Sequence, residues 1–409
     1  MSARRVAALL CAAVAGTAAG AGGDLAVRGA LVYTGAGAAI QDGMVWVRGG
    51  KIAAVGPAGA VTIPEGVRTI SAAVVTPGLI DARATVGLTG ILNHKHDQEQ
   101  LDGSAPLQPE LRAIDAYDAR EPLVEWLRSF GITTVHTGHA PGAAISGQTL
   151  IAKTRGRTVD EAVIVPTAMV AATLGADAKA DEPGKPPGTR GKTVAMLRAE
   201  LIRAQEYRAK RDAVGPDTTK RPARDLRLEA LTSVLDGTWP LLVSAERDRD
   251  ILAALRLRDE FGFRLVLDGA ADAPEILEEI ARAGVPVIVH PTMARAWGDR
   301  ENLSMATAAR LADAGVTFAF QSGYESYVPK TRVVLFEAAV AAAHGLGPER
   351  ALDALTRGAA RLLGIDDRVG SLEVGKDGDL ALFDGDPLET ATHCVGTVIE
   401  GEVVSDTKR

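Results

Sequence analysis

Cysteine is nearly absent: the 409 residues hold two, Cys11 and Cys394. Cys11 falls in a stretch that reads as a secretory leader, with Arg4 and Arg5, an apolar run from Val6 to about Ala15, and small residues around Ala19-Gly20-Ala21. Removal of residues 1–21 leaves Cys394 alone, so no intrachain disulfide staples the mature chain, even in the periplasmic or secreted setting that such a leader implies. Long apolar runs are missing too. The leader's run falls short of the ~20 residues of a spanning helix, so no membrane association is expected after its removal. Banks of Lys and Arg are absent and the formal charge is -7, which excludes the basic footprint of a nucleic-acid binder. No Gly-rich dinucleotide fingerprint follows an early strand, and no internal repeat is visible. A small-molecule ligand is the partner class left open.

What is present is material for a core, with 46% hydrophobic and 24% charged residues. From Leu25 to about Ile70 the chain reads as short antiparallel strands, with Gly49-Gly50 as a hairpin turn. The same texture returns in Asp379 to Phe383 and Thr397 to Val404. Two β-rich ends around a long middle predict that residues 24–74 and 368–409 pair into one small composite β-sandwich. In residues 75–367, apolar β-branched runs (LIDAR, ITTVHTG, AVIVPT, PLLVSAE, RLVLDG, VPVIVHP, VTFAFQS) alternate with helical stretches such as Ala119 to Phe130, Asp250 to Phe261 and Pro274 to Ala283. Strand then helix, repeated, with strands apolar enough to be covered on both faces, predicts an α/β fold of the (β/α)8 TIM-type barrel class. Ala176 to Arg224, with Pro- and Lys-rich flanks around a helix from about Thr193 to Ala213, reads as a solvent-facing excursion able to act as a lid.

The segment Val74 to Gly87, VVTPGLIDARATVG, resembles the first barrel strand of the amidohydrolase superfamily of metal-dependent hydrolases, in its imidazolonepropionase-like branch. There the strand reads Pro-Gly-Leu-Ile-Asp-x-His-x-His and its two histidines hold a catalytic divalent metal. Here Pro77 to Asp81 match, and Arg83 and Thr85 stand at the histidines. Alternate strand residues share a face, so 83 and 85 point together as such a clamp requires. A guanidinium stays protonated and repels a cation, and a lone threonine hydroxyl is a poor zinc ligand. The same resemblance, which extends to the closing stretch RVGSLEVGKDGDLALFDGDPLE, places Glu246 at the histidine of the fifth strand. It places Gly269, preceded by Asp268, at that of the sixth, and Gly323 or Ser322 at the aspartate of the eighth.

The resemblance implies a hydrolase acting on C–N bonds of a small cyclic amide or imidazolone-like molecule. That chemistry needs a metal to lower the pKa of water and a carboxylate to move protons. The replacements imply loss of the usual mechanism, leaving a metal-free route with Glu246 or Asp268 as base. Otherwise the chain is a non-catalytic relative that binds a ligand, as a homo-oligomer or beside an active homologue. Its candidate ligand-binding or vestigial residues are Arg83, Thr85, His136, His139, Gly269, His290, Gln321, Gly323 and Tyr324. No cofactor is expected; the alternative is zinc on a rebuilt set of His136, Glu246 and His290, two histidines and a carboxylate at three strand ends. His94 and His96 share the one-apart spacing but lie in a polar stretch that reads as a surface loop. Lys153 is the best lysine for a carbamate bridge between two metals, with a salt bridge as its other role. Tyr324, Glu325 and Tyr327, with Lys330 and Arg332, place aromatic and charged groups at the barrel mouth, and HAPGAAISGQT offers backbone donors for an anion or a tight turn.

Overall fold

The computed structural model describes residues 23–92, 94–180, 184–214, 221–324 and 333–409. The leader, Cys11, Glu325, Tyr327, Lys330 and Arg332 lie outside the described residues. Strands β1 (Leu25–Val32), β2 (Ile40–Arg48), β3 (Lys51–Pro57) and β4 (Arg68–Pro77) come first. They are followed by β5 (Leu79–Ala84), β6 (Ile132–Gly138), β7 (Ile145–Lys153), β8 (Val163–Val165), β9 (Val170–Thr173), β10 (Leu241–Ala245), β11 (Leu265–Gly269), β12 (Val287–Val289) and β13 (Phe318–Ala319). Strands β14 (Leu380–Phe383), β15 (Cys394–Ile399) and β16 (Glu402–Ser405) close the chain.

The composite domain expected from both ends is a single hydrogen-bonded sheet in the order β16-β15-β14-β4-β1-β2-β3. Strand β14 pairs antiparallel with β4, which runs through Gly78 into β5, so the terminal sheet and the first barrel strand are one length of chain. The β2–β3 hairpin turns at Gly49 and Gly50, whose φ of 55° and 80° suit glycine at both turn positions.

The barrel runs β5-β6-β7-β9-β10-β11-β12-β13. It is closed by the Ala82 amide donating to the Phe320 carbonyl (3.0 Å) and the Gly323 amide donating to the Arg83 carbonyl (3.1 Å). Two features depart from the simple reading. Strand β7 is antiparallel to both β6 and β9, and it takes in residues 145–149 of HAPGAAISGQT, the run read as backbone donors for an anion or a tight turn. The segment AVIVPT contributes only β8, which pairs with β7 off the barrel path. Glycine content suggested a turn, but Ile145, Leu150, Ile151 and Ala152 bury completely and carry the segment into the sheet. The excursion is corrected too. Its helix, Arg190–Ala213, buries Leu197, Leu201, Ala204 and Tyr207 and packs on helices Leu226–Leu235 and Asp248–Phe261, as an outer-layer barrel helix does.

One apolar cluster includes Ile80, Ala82, Ile151, Ala171, Leu242, Val266, Ile288 and Ala319, drawn from seven barrel strands, with Ala360 and Leu363 of helix Arg357–Leu363. It fills the ring of strands, leaving polar chemistry to the strand ends.

Lys153 has the salt-bridge role, far from the site. It pairs with Thr134 near the start of β6, at the end of the barrel remote from the mouth. Its ammonium, 1% exposed, bonds to Asp377 (2.9 Å) and Asp379 of the terminal sheet. Lys51 (2.5 Å) and Arg368 (3.0 Å) complete the shell of Asp377. Burial alone would raise the Asp377 carboxyl, but these three cations outweigh it and hold it at about 2. Removing one partner of a buried pair leaves the other charge uncompensated. Lys153→Met is therefore expected to lower stability by about 3 kcal/mol in urea unfolding, whereas Arg28→Ala, which breaks the exposed pair with Asp42, leaves the midpoint unchanged within error.

Candidate functional site

The strand ends of the barrel converge on a cleft lined by Arg83, Thr85, Glu246, Asp268, Arg300 and Tyr324, among others. Of the residues singled out in the sequence, Gly269, Gln321 and Gly323 also line it, whereas His136, His139 and His290 do not.

Arg83 lies at its centre, 3% exposed. The register of β5 against β6 shifts between Asp81 and Ala84, an irregularity of the kind that re-aims a side chain at a strand end. One terminal nitrogen, Nη2, donates to the His139 carbonyl, and Nε is 3.9 Å from Asp268 Oδ2. Burial pulls the guanidinium pKa down while Asp268 and Asp81 push it back up, and the group stays charged. Asp268 is fixed in turn, accepting from Gln321 Nε2 at Oδ1 (2.7 Å) and from Ser244 Oγ at Oδ2. Asp81, fully buried below Arg83, accepts from the Ser322 amide (3.1 Å), and burial raises it to about 7.

Glu246 accepts from Arg300 Nε at Oε1 (2.7 Å) and from the Ala271 amide at Oε2 (3.1 Å). Burial raises its pKa and Arg300 opposes the rise. Its carboxylate fills the space that a side chain on residue 269 would need: a Cβ there would lie 2.7 Å from it, and Gly269 has φ +86°. Gly323 is constrained in the same way, with φ +69° and a Cβ position 2.5 Å from Pro291 Cγ. Neither the histidine at 269 nor the aspartate at 323 implied by the resemblance fits this backbone.

Asp299 and Arg300, from the turn Gly298–Arg300, are part of the cleft lining. Asp299 binds Arg190 and the Ala176 amide (2.8 Å), Arg190 binds Asp250 (2.9 Å), and Arg247 reaches Glu301 (2.5 Å). About 30 Å³ of free space remains in the cleft, room for a water or two.

Two of the histidines, His136 and His290, are held at both ring nitrogens. His136, fully buried, bonds through Nδ1 to the Ala82 carbonyl and through Nε2 to Thr149 Oγ1, both 2.7 Å. His290 bonds to the Pro291 carbonyl and Thr307 Oγ1, both 3.0 Å. The set His136, Glu246 and His290 is thus not brought together, and among the described residues no three His, Cys, Asp or Glu side chains group to hold a metal ion. A divalent cation does not fit the residues present, because the first-strand position is filled by a fixed positive charge, the sixth by Gly269 and the eighth by Gly323 or Ser322, none of which supplies a carboxylate or imidazole. His94 and His96 stack at 5.4 Å on an exposed loop. Tyr324 is tied to the 87–101 loop by Gln100 Nε2 (3.1 Å). Sequence reasoning missed Arg300 and Ser244. No pattern marks them, since their importance comes from the strand order and the loop fold.

A barrel with a sheet made from both termini and its polar groups at the strand ends is the architecture of the barrel hydrolases. The amidohydrolase family model matches residues 331–405. An imidazolonepropionase from Rhizobium rhizogenes is 26% identical over 84% of this chain and 87% of its own length. The amidohydrolase tasK of Hapsidospora irregularis is 24% identical over 81% of this chain, which spans only 36% of that protein. The crystal structure of an amidohydrolase from Thermotoga maritima MSB8 superposes with a TM-score of 0.88 at 26% identity, over 94% of this chain and all of that one. The chain belongs to the amidohydrolase superfamily.

Two measurements check this geometry. Gly269→Ala is expected to cost about 1–3 kcal/mol in urea unfolding, because it combines left-handed strain with displacement of the Glu246 carboxylate. Burial, reinforced for the first two by Arg83, depresses His136 to about 3 and His139 and His290 to about 4. Unfolded, each would protonate near 6.5, so their stabilising contribution is complete above pH 6.5 and is lost as pH falls. Asp81, raised to about 7, has the opposite sign: its contribution is complete below its ordinary 3.8 and is lost as pH rises through 7. Among these four groups the three histidines outweigh Asp81 between about pH 4 and 6.5, so their joint contribution should lower the urea midpoint on acidification. Asp81→Asn should make the fall steeper.

Proposed function

We propose that this protein is a metal-independent member of the superfamily, whose barrel mouth binds a small C–N-containing molecule of cyclic-amide or imidazolone-like type without activating water on a metal. The observation that carries this reading is the buried Arg83 guanidinium, bonded to the His139 carbonyl and facing Asp268, at the position where the superfamily pattern has its first metal ligand. The substrate class is taken from the imidazolonepropionase relative. A second reading, metal-free hydrolysis, draws on the paired carboxyls: Glu246, raised by burial, beside Asp268 is the arrangement in which one carboxyl serves as acid and the other as base. All four of their oxygens already accept a hydrogen bond, and the ion pair with Arg300 opposes protonation of Glu246.

Elemental analysis by plasma mass spectrometry separates these readings from a metal hydrolase. After dialysis, and again after incubation with zinc or manganese, the untagged protein should carry far less than one metal per chain. Arg83→His combined with Thr85→His should not create C–N hydrolysis, because Gly269 and Gly323 still cannot supply ligands. About one metal per chain, lost together with turnover in Glu246→Ala, would overturn the proposal.

A further inference from the structure

Two polar atoms in the cleft have no hydrogen-bond partner among the described residues: Arg83 Nη1 and Thr85 Oγ1. Both belong to residues at least nine-tenths buried, 3% and 1% exposed, on one strand end, and both residues line the cleft. Leaving a buried donor unmade costs about 1–3 kcal/mol, more for a charged group, so such atoms mark a place where something else completes the shell.

We propose that Arg83 Nη1 and Thr85 Oγ1 form the seat for the carboxylate of a small organic acid. The assignment rests on the metal-independent reading of the mouth and specifies the ligand's anchoring group. Charge favours an anion over a neutral carbonyl. The nearest carboxylate to Arg83, Asp268, is 3.9 Å from Nε, beyond hydrogen-bond reach, and both its oxygens are occupied by Ser244 and Gln321. Glu246 is committed to Arg300 and the Ala271 amide. The guanidinium therefore has one donor edge and part of its charge uncompensated, and a carboxylate is the planar acceptor that suits that edge. The threonine hydroxyl supplies a second donor to the same group. The seat is small: with about 30 Å³ free in the cleft, a head group fits and a larger acid requires the lining to move.

The test uses the full mature chain, stripped of metal by chelator dialysis and with its metal content measured first. Formate and acetate are titrated by calorimetry, with acetamide as the neutral comparator. Saturable acetate binding is expected, at least about tenfold tighter than acetamide, and Thr85→Val should weaken it about tenfold through loss of one charge-assisted hydrogen bond. Arg83→Lys, accepted only if its circular dichroism matches the parent, should abolish it, since a single ammonium cannot reproduce the planar two-donor edge. No saturable acetate binding, or equal affinity in Thr85→Val, overturns the carboxylate seat. If that result comes with metal-free protein, the metal-independent reading stands and the seat alone fails. If the protein retains about one metal per chain through dialysis, the underlying reading fails.

Discussion

A guanidinium held almost out of contact with water organises the mouth of this barrel. A buried charge is tolerated only where its surroundings compensate it, and each neighbour of Arg83 does part of that. The His139 carbonyl fixes Nη2, Asp268 faces Nε and is itself oriented by Ser244 and Gln321, and Asp81 lies below. The flanking imidazoles are kept neutral first by burial and then by Arg83 itself. Strands β5, β10 and β11 and the segment after β13 are thus tied to one cation supplied by the chain.

The glycines show how thoroughly the rest of the site is built around that arrangement. Residue 269 has to lack a side chain because the Glu246 carboxylate occupies its space, and Glu246 is there because Arg300 and the Ala271 amide hold it. Residue 323 has to lack one because Pro291 packs against it, and its amide helps close the barrel on the Arg83 carbonyl. A side chain at 269 would displace Glu246, and one at 323 would displace Pro291.

Much of the fold was legible because its signals are local. The buried apolar runs of β5, β6, β10, β11 and β12, the Gly49-Gly50 turn and the Pro77-Gly78-Leu79-Ile80-Asp81 frame carry the barrel and its joined terminal sheet. The excursion helix and β7 were misread because composition pointed one way and tertiary packing the other: Lys- and Pro-rich flanks hid the buried stripe of Leu197, Leu201 and Ala204, and glycines hid a fully buried strand. At the site, Arg83, Thr85, Glu246 and Gly269 were readable from a matched frame. The histidines were not, since whether a strand-end imidazole is a ligand or a hydrogen-bonded strut depends on a partner such as Thr149 or Thr307 that only the folded chain brings near. Lys153 shows the same limit, its place at the far end of the barrel following from the reversed direction of β7.

In the proposed reading the protein's own cation, Arg83, stands where the superfamily pattern calls for a metal. Crystals soaked in zinc and measured at the zinc edge decide between cation and metal. No anomalous peak is expected in the cleft, with Arg83 still bonded to the His139 carbonyl; a strong peak among Glu246, Asp268 and residue 83, with the guanidinium swung aside, would show that the barrel holds a metal instead.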